Sequence, residues 1–311
     1  MDSQKLLIVG CGDLGERLVR RLDIPFTDIL GLRRNPPSPM PSGLLRYLAM
    51  DAADPAQWRS LAGFHPGVIV ITMTPDAMSD EAYRRAYVTV CNCLIHYLRE
   101  ERWQPQLVLF VSSTRVYGAL DGPVDEQSPV VPEGFAGQRL LEAEARIRDS
   151  GLPFCILRFS GIYGRDRVSR DRLAPGTASA NAASRGRTGL LAQVIQGRVQ
   201  RPNHITNRIH ADDCAAVLAH LIRLQRQGRK LAPVYLTSDD CPAPLGEVCD
   251  WLAGQLGVAP PVLTLPAGGV VSGKRCDNRL LKTTGFRFTY PDYRSGYQPL
   301  LTDPAYSKGQ V

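Results

Sequence analysis

No apolar stretch in this 311-residue chain reaches the ~18 residues that a membrane-spanning helix needs. No membrane-spanning helix and no membrane partner are expected. Within five residues of Met1 the chain enters the apolar segment Leu6-Leu7-Ile8-Val9, so no export signal and a cytoplasmic location are expected. The eight cysteines include no Cys-x-x-Cys pair, and most fall inside predicted strands or helices. They read as reduced, packed thiols rather than a disulfide frame or a zinc site. Five scattered histidines supply no ligand cluster, and no metal is expected. Aromatics are missing where a nucleic-acid surface would use them. The formal charge is +7, and much of the excess sits between Gly164 and Gly189, where Arg165, Arg167, Arg170, Arg172, Arg185 and Arg187 face only Asp166 and Asp171. Without interleaved aromatics this segment reads as a flexible loop or a site for phosphorylated small molecules, and no nucleic-acid partner is expected. Its centre, Ala174 to Ser184, is poor in bulky apolar residues and is expected to be a mobile loop.

Present instead is Gly10-Cys11-Gly12-Asp13-Leu14-Gly15, set between the apolar run Leu6 to Val9 and a segment, Glu16 to Leu22, with apolar residues at helical spacing. This is the strand-turn-helix context of a dinucleotide-binding loop. Gly10 permits the tight turn, Gly12 admits a pyrophosphate to the backbone, and Gly15 lets helix and strand pack closely. The N–H groups of Asp13 and Leu14 then open a helix towards the anion. Asp28 to Leu32 reads as the next strand. Where an NAD site would place an acid for the ribose 2′-hydroxyl, the chain has Arg33-Arg34, whose guanidinium forks suit a 2′-phosphate. NADP(H) is therefore expected over NAD(H). The same pair also reads as solvated charge at a strand end. Asp51, after the third strand Leu44 to Met50, stands near an adenine or forms a turn before Asp54-Pro55.

Further along, Val68 to Ile71, Leu107 to Val111 and Phe154 to Arg158 read as strands, separated by helices at Asp80 to Glu101 and Gln138 to Asp149. This alternation predicts an α/β fold, a Rossmann-type doubly wound parallel sheet, with a smaller C-terminal substrate lobe. The expected division is 1–160 for the dinucleotide-binding domain and 161–311 for the substrate-binding lobe, with about 205–229 returning to the first domain and about 165–189 a mobile Arg-rich loop. Helices are expected at Asp213 to Leu224 and Leu245 to Leu256, and a poorly packed tail from Tyr293. Ligands of such a sheet bind at the carboxyl ends of its strands, which adds Thr72, Thr74, Ser113 and the segment Arg158 to Gly164 to the candidate site.

Val111-Ser112-Ser113-Thr114-Arg115-Val116-Tyr117-Gly118, Leu157-Arg158-Phe159-Ser160-Gly161-Ile162-Tyr163-Gly164 and Asn207-Arg208-Ile209-His210-Ala211-Asp212-Asp213 resemble, in order, landmarks of the extended short-chain dehydrogenases/reductases, the NAD(P)-dependent epimerases and dehydratases. Gly273 to Asn278, Thr284-Gly285-Phe286 and Tyr290-Pro291 resemble an atypical bacterial branch. The resemblance implies that Ser113 hydrogen-bonds the reacting oxygen of a substrate, and it implies a homodimer through the helices at 80–101 and 138–149. It also implies a tyrosine that exchanges a proton and a lysine four residues later. No Tyr-x-x-x-Lys occurs in the chain. In one register Phe135 and Arg139 take those positions; in the other, anchored on Glu144, Ala136 and Leu140 do. Arg139 is then a clamp for ribose or phosphate, and Tyr117 and Tyr163 are either substitute acids or packing tyrosines. Arg158, Tyr163, Arg165 and Arg167 are the candidate holders of a phosphorylated or nucleotide-linked substrate. Two functions remain open: an NADP(H)-dependent oxidoreductase or epimerase, and a redox sensor that binds the nucleotide without turnover.

Overall fold

The computed structural model describes residues 4–37, 43–164, 189–199, 202–264 and 269–302. Seven strands form the central sheet: β1 (Lys5–Val9), β2 (Asp28–Arg33), β3 (Leu45–Ala49), β4 (Val68–Ile71), β5 (Leu107–Ser113), β6 (Phe154–Phe159) and β7 (Val234–Thr237). Their spatial order is β7-β6-β5-β4-β1-β2-β3. Successive strands step outwards from β1 in one direction and from β4 in the other. The order reverses between β1 and β4, which is where a doubly wound sheet opens its ligand crevice. The β1–β2, β1–β4, β2–β3 and β4–β5 pairs are all parallel. Such strands are covered on both faces, which explains why they read as unbroken apolar runs: Leu6 to Val9 and Val68 to Ile71 are fully buried.

Around the sheet and in the remainder of the described residues lie, among other helices, α1 (Asp13–Arg21), α2 (Asp80–Tyr83), α3 (Val90–Glu100), α4 (Gly134–Arg148), α5 (Ala211–Arg226), α6 (Leu245–Leu256) and α7 (Tyr293–Leu301). The chain divides into two compact units. The first comprises Met1–Gly118, Pro129–Arg158 and Cys214–Tyr235; the second comprises Ala119–Ser128, Phe159–Asp213 and Leu236–Val311. The crossing segment Ala119–Ser128 carries no composition shift and was invisible in the sequence.

The core of the first unit joins inward residues of the sheet, such as Val9, Ile69, Ile71, Val108 and Phe110, to Trp58 and to the apolar face of α3. Three differences from the sequence-based expectation have local causes. The helix expected at Gln138 begins at Gly134, whose positive φ of 74° makes the entry turn that glycine favours. The helix expected over Asp80 to Glu101 contains a π-helical turn, Arg84–Thr89, between α2 and α3. The described part of the tail, 293–302, is packed: a capping box at Asp292 and Ser295 starts α7, and Tyr293, Tyr297 and Leu300 are buried against α6; 303–311 lie outside the described residues. Their i, i+4, i+7 spacing was the missed signal. In this second unit the short strands Gly161–Tyr163 and Arg208–His210 pair in parallel, and Lys274–Cys276 pairs with Gly122–Val124. The predicted loop at 165–189 lies almost wholly outside the described residues.

Candidate nucleotide and active site

In the first unit the turn after β1 is pinned from both sides. The N–H groups of Gly10 and Cys11 donate to the Leu32 carbonyl of β2, at 3.1 and 2.9 Å. From β4, the Thr72 hydroxyl donates to the Gly10 carbonyl at 2.9 Å. Gly10 has φ +83°, and a Cβ there would lie 2.6 Å from Met73 Sδ. At Gly15 a Cβ would lie 2.9 Å from Cys11 Sγ and 3.0 Å from Ile8 Cγ2. Gly12 differs from both, because the nearest atom to a Cβ there is the Gly10 carbonyl oxygen at 4.0 Å. Its cradle faces open space. It is also the N-cap of α1 and has no side-chain cap, so the first N–H groups of the helix are left to an external acceptor. Asp13 sends one carboxylate oxygen to Arg17 Nε at 2.8 Å and leaves the other buried without a partner. Leu14 packs inward. An open cradle, uncapped N–H groups and an orphaned acceptor fit a dinucleotide.

Gly31 was overlooked in the sequence. A Cβ there would lie 2.7 Å from Cys11 Cβ, so Cys11 fills the seam between α1 and β2. Burial pushes the Cys11 thiol up to about 12, against a hydrogen bond from Tyr47, and makes it neutral packing rather than a nucleophile.

At the ends of β2, β3 and β4 the charges alternate. Arg33 reaches Glu16 at 3.3 Å, and Glu16 also accepts from the Tyr47 hydroxyl at 2.9 Å. Arg34 forms a bidentate pair with Asp76. Asp51 accepts from the Ala53 N–H at 3.0 Å and from Arg85 Nη2 at 2.5 Å, combining a turn-forming role with an ion pair. Thr74 is exposed beside them.

At the end of β5, Ser113 caps the turn Thr114–Tyr117, its Oγ accepting from the Arg115 N–H at 3.3 Å. Among the described residues the hydroxyl proton has no acceptor. Behind it, Glu144 of α4 is fully buried and accepts from Ser112 Oγ at 2.7 Å, Arg148 Nη2 at 2.7 Å and Arg158 Nε and Nη2 at 3.1 and 2.7 Å. Arg158 Nη1 in turn donates to the Tyr117 hydroxyl at 3.0 Å. Arg158 is 3% and Tyr117 0% exposed. This burial speaks against the expectation of Arg158 as a substrate ligand and, of the two readings of Tyr117, favours the packing tyrosine over the substitute acid.

The network also sets which face of α4 turns inward. Ala136, Leu140 and Glu144 are buried at i, i+4, i+8, whereas Arg139 lies on another face, held by Asp80 at 2.7 and 2.8 Å and by Glu142 at 2.7 Å. Arg139 is therefore a surface brace between α4 and α2. Phe135 stacks edge-on against Tyr83, with centroids 5.5 Å apart.

The second unit holds a separate polar cluster on adjoining segments. The Ser160 N–H donates to the Thr237 carbonyl at 2.9 Å, and the Asp239 N–H to the Arg208 carbonyl at 2.8 Å. Ser160 Oγ, Thr237 Oγ1, Tyr163 Oη, Arg208 Nη1 and Asp239 Oδ2 are each buried without a hydrogen-bond partner. Burial raises the Asp239 carboxyl to about 8, with the Cys241 N–H and Arg208 opposing. Tyr163 packs against Tyr297 and His210, with its hydroxyl over Gly296, and burial raises its pKa. That hydroxyl is enclosed in the packing of this unit and is not presented to a substrate. Arg165 and Arg167 lie outside the described residues. Among the described residues, no group of three or more His, Cys, Asp or Glu is placed to hold a metal, and no helix is long and apolar enough to cross a membrane.

A family model described as the NAD dependent epimerase/dehydratase family matches residues 6–233. Protein YeeZ of Escherichia coli (strain K12) is 26% identical over 302 residues, spanning 93% of this chain and 97% of that protein. A solved structure described as a "putative NAD-dependent epimerase/dehydratase" from Methylobacillus flagellatus is 34% identical, with a TM-score of 0.75 over 96% of this chain and 97% of its own. MoeE5 in complex with UDP-glucose and NAD shares the fold at 19% identity, with a TM-score of 0.69 over 94% of this chain and 95% of its own.

Proposed function

We propose, from the premise that the chain belongs to the NAD dependent epimerase/dehydratase family, that it is an NADP(H)-dependent oxidoreductase or epimerase/dehydratase acting on a carbonyl or carbinol carbon of a phosphorylated or nucleotide-linked substrate. The observation that carries this reading is the open cradle at Gly12, with two arginines where an NAD site would place an acid. A bound nicotinamide supplies the hydride donor or acceptor. Gly12 and the first N–H groups of α1 hold the pyrophosphate, the free carboxylate oxygen of Asp13 accepts a hydroxyl hydrogen, and Arg34 exchanges its exposed partner Asp76 for the 2′-phosphate. Ser113 donates its unspent proton to the reacting oxygen of the substrate and polarises the carbon.

Proton exchange has no phenol or ammonium behind it. The inward face of α4 carries Ala136 and Leu140. Since a positioned acid–base group contributes ~10² to 10⁴ in rate, turnover is expected to be slow and to draw its proton from solvent. This same face favours a second reading, an NADP(H)-binding redox sensor without turnover.

Deuterium from 4-deuterated NADPH, followed into a pool of candidate phosphorylated and nucleotide-linked carbonyl compounds, separates the two. Label in product, or hydrogen exchange at a substrate carbon, supports the enzyme. Silence in both, with the nucleotide bound, supports the sensor. Nucleotide-linked substrates lead the search because a relative of the same fold is seen with UDP-glucose. We further propose a cytoplasmic homodimer through the region of α2, α3 and α4; sedimentation tests the assembly, and a monomer at micromolar concentration contradicts it.

A further inference from the structure

Cofactor selectivity in this fold is read at the carboxyl edge of β2, where Arg34 stands. The structure brings a second cation to that edge from a helix. Between α2 and α3 the chain is π-helical over Arg84–Thr89, a local widening that shifts the phase of the following residues. Arg84 stays on the outer face with Glu81, at 3.0 Å. Arg85 turns instead to the end of β3 and donates from Nη2 to Asp51 Oδ2.

Asp51 lies within electrostatic reach of both arginines. Burial would raise its carboxyl pKa, but the Ala53 N–H, Arg85 and Arg34 together hold it below the usual carboxylate range. Strand pairing of Arg33 with Ala49, and the Met50 N–H donating to the Arg33 carbonyl, set Arg34 beside the end of β3 where Arg85 meets Asp51; Arg34 itself is bonded to Asp76. The side chains of Arg34 and Arg85 are 51% and 49% exposed, so their heads are open to solvent and their ion pairs are weak. The four side chains sum to zero charge. A dianion beside the two guanidinium groups displaces the weak exposed Arg34–Asp76 pair and gains charge-assisted contacts, while Asp51 keeps its hold on Arg85.

We propose that Arg85, which lies in the π-helical turn and is tethered by Asp51, is the second cation of a 2′-phosphate site and acts with Arg34 to select NADP(H). This rests on the NADP(H) reading above. No sequence spacing announces it, because 51 positions separate the two arginines and only the packing of the helix against the sheet edge brings them to one place.

The probes are adenosine 2′,5′-bisphosphate and 5′-AMP, which differ only in the 2′-phosphate and need no catalysis. They are titrated calorimetrically into the full chain at fixed salt. Wild type is expected to prefer the bisphosphate by roughly ten- to a hundredfold, the value of one or two charge-assisted contacts. Arg85→Ala is expected to reduce that preference about tenfold without changing 5′-AMP affinity, Arg85→Lys to restore part of it, and Arg34→Ala to act likewise. Thermal melting of each variant, all altered at half-exposed positions, verifies folding. If wild type prefers the bisphosphate and Arg85→Ala keeps the full preference, the role given to Arg85 is overturned while the NADP(H) reading stands. If wild type shows no preference, the NADP(H) reading falls and takes this inference with it.

Discussion

Removing Glu144 should cost this protein more than any surface substitution, and the geometry sets the scale. Among the described residues its fully buried carboxylate is the one that pairs with the guanidinium of Arg158, whose side chain is 4% exposed, and it also holds Ser112. Glu144→Ala leaves the Arg158 cation without that counterion in the interior, a change that typically costs ~3–5 kcal/mol. Against a total stability of ~5–15 kcal/mol this is a large fraction. Taking ~2–4 °C per kcal/mol for a domain of this size, the melting temperature should fall by about 6 to 20 °C. The double variant Glu144→Ala/Arg158→Ala removes both charges and should be markedly more stable than the sum of Glu144→Ala and Arg158→Ala predicts. Circular dichroism melts and urea titrations of the four proteins complete the cycle. A fall below about 2 °C for Glu144→Ala, or strict additivity in the double variant, would refute the claim that an uncompensated buried charge sets the cost.

Three further outcomes follow from particular atoms. Gly12→Val should melt with wild type yet lose nucleotide binding, because its side chain enters open space, whereas Gly10→Ala should lose both, since it meets Met73 at 2.6 Å and a φ of +83°; comparing melts with titrations checks the contrast. Asp239 titrates at about 8 in the folded chain against 3.8 when free, so folding is favoured by its proton uptake: that stability is fully present below pH 3.8 and is lost progressively as pH rises to 8. Asp239→Asn should therefore gain stability relative to wild type as melts are run from pH 5 to pH 9, and a constant difference would count against it. Once a substrate is found, Ser113→Ala should lower kcat by roughly a hundredfold and leave NADP⁺ affinity unchanged; equal kcat would remove Ser113 from the chemistry.

The sheet was legible because parallel strands are unbroken apolar runs, and the glycine loop because each of its three glycines has a steric or approach reason that any Cβ would violate. The charged side chains were less legible. Residue type alone made Arg158 a substrate ligand and Arg139 a clamp, but the first is consumed by Glu144 and Tyr117 inside the core and the second by Asp80 on the surface. Which carboxylate claims an arginine depends on helix phase and strand order, not on spacing along the chain. Burial favours Tyr117 and Tyr163 as packing tyrosines over candidate acids for a related reason: landmark tyrosines at strand ends pack inward as readily as they face a cavity. The π-helical turn Arg84–Thr89 has no sequence signature among ordinary helix formers.

The central claim, an NADP(H) site built on the Gly12 cradle, is met most directly by calorimetric titration of the wild-type protein with NADP⁺ and NAD⁺ at the same salt, repeated with Gly12→Val. The account predicts stoichiometric binding, tighter for NADP⁺ by about tenfold or more and abolished by the variant. Equal or tighter binding of NAD⁺, or undiminished binding by Gly12→Val, would contradict it.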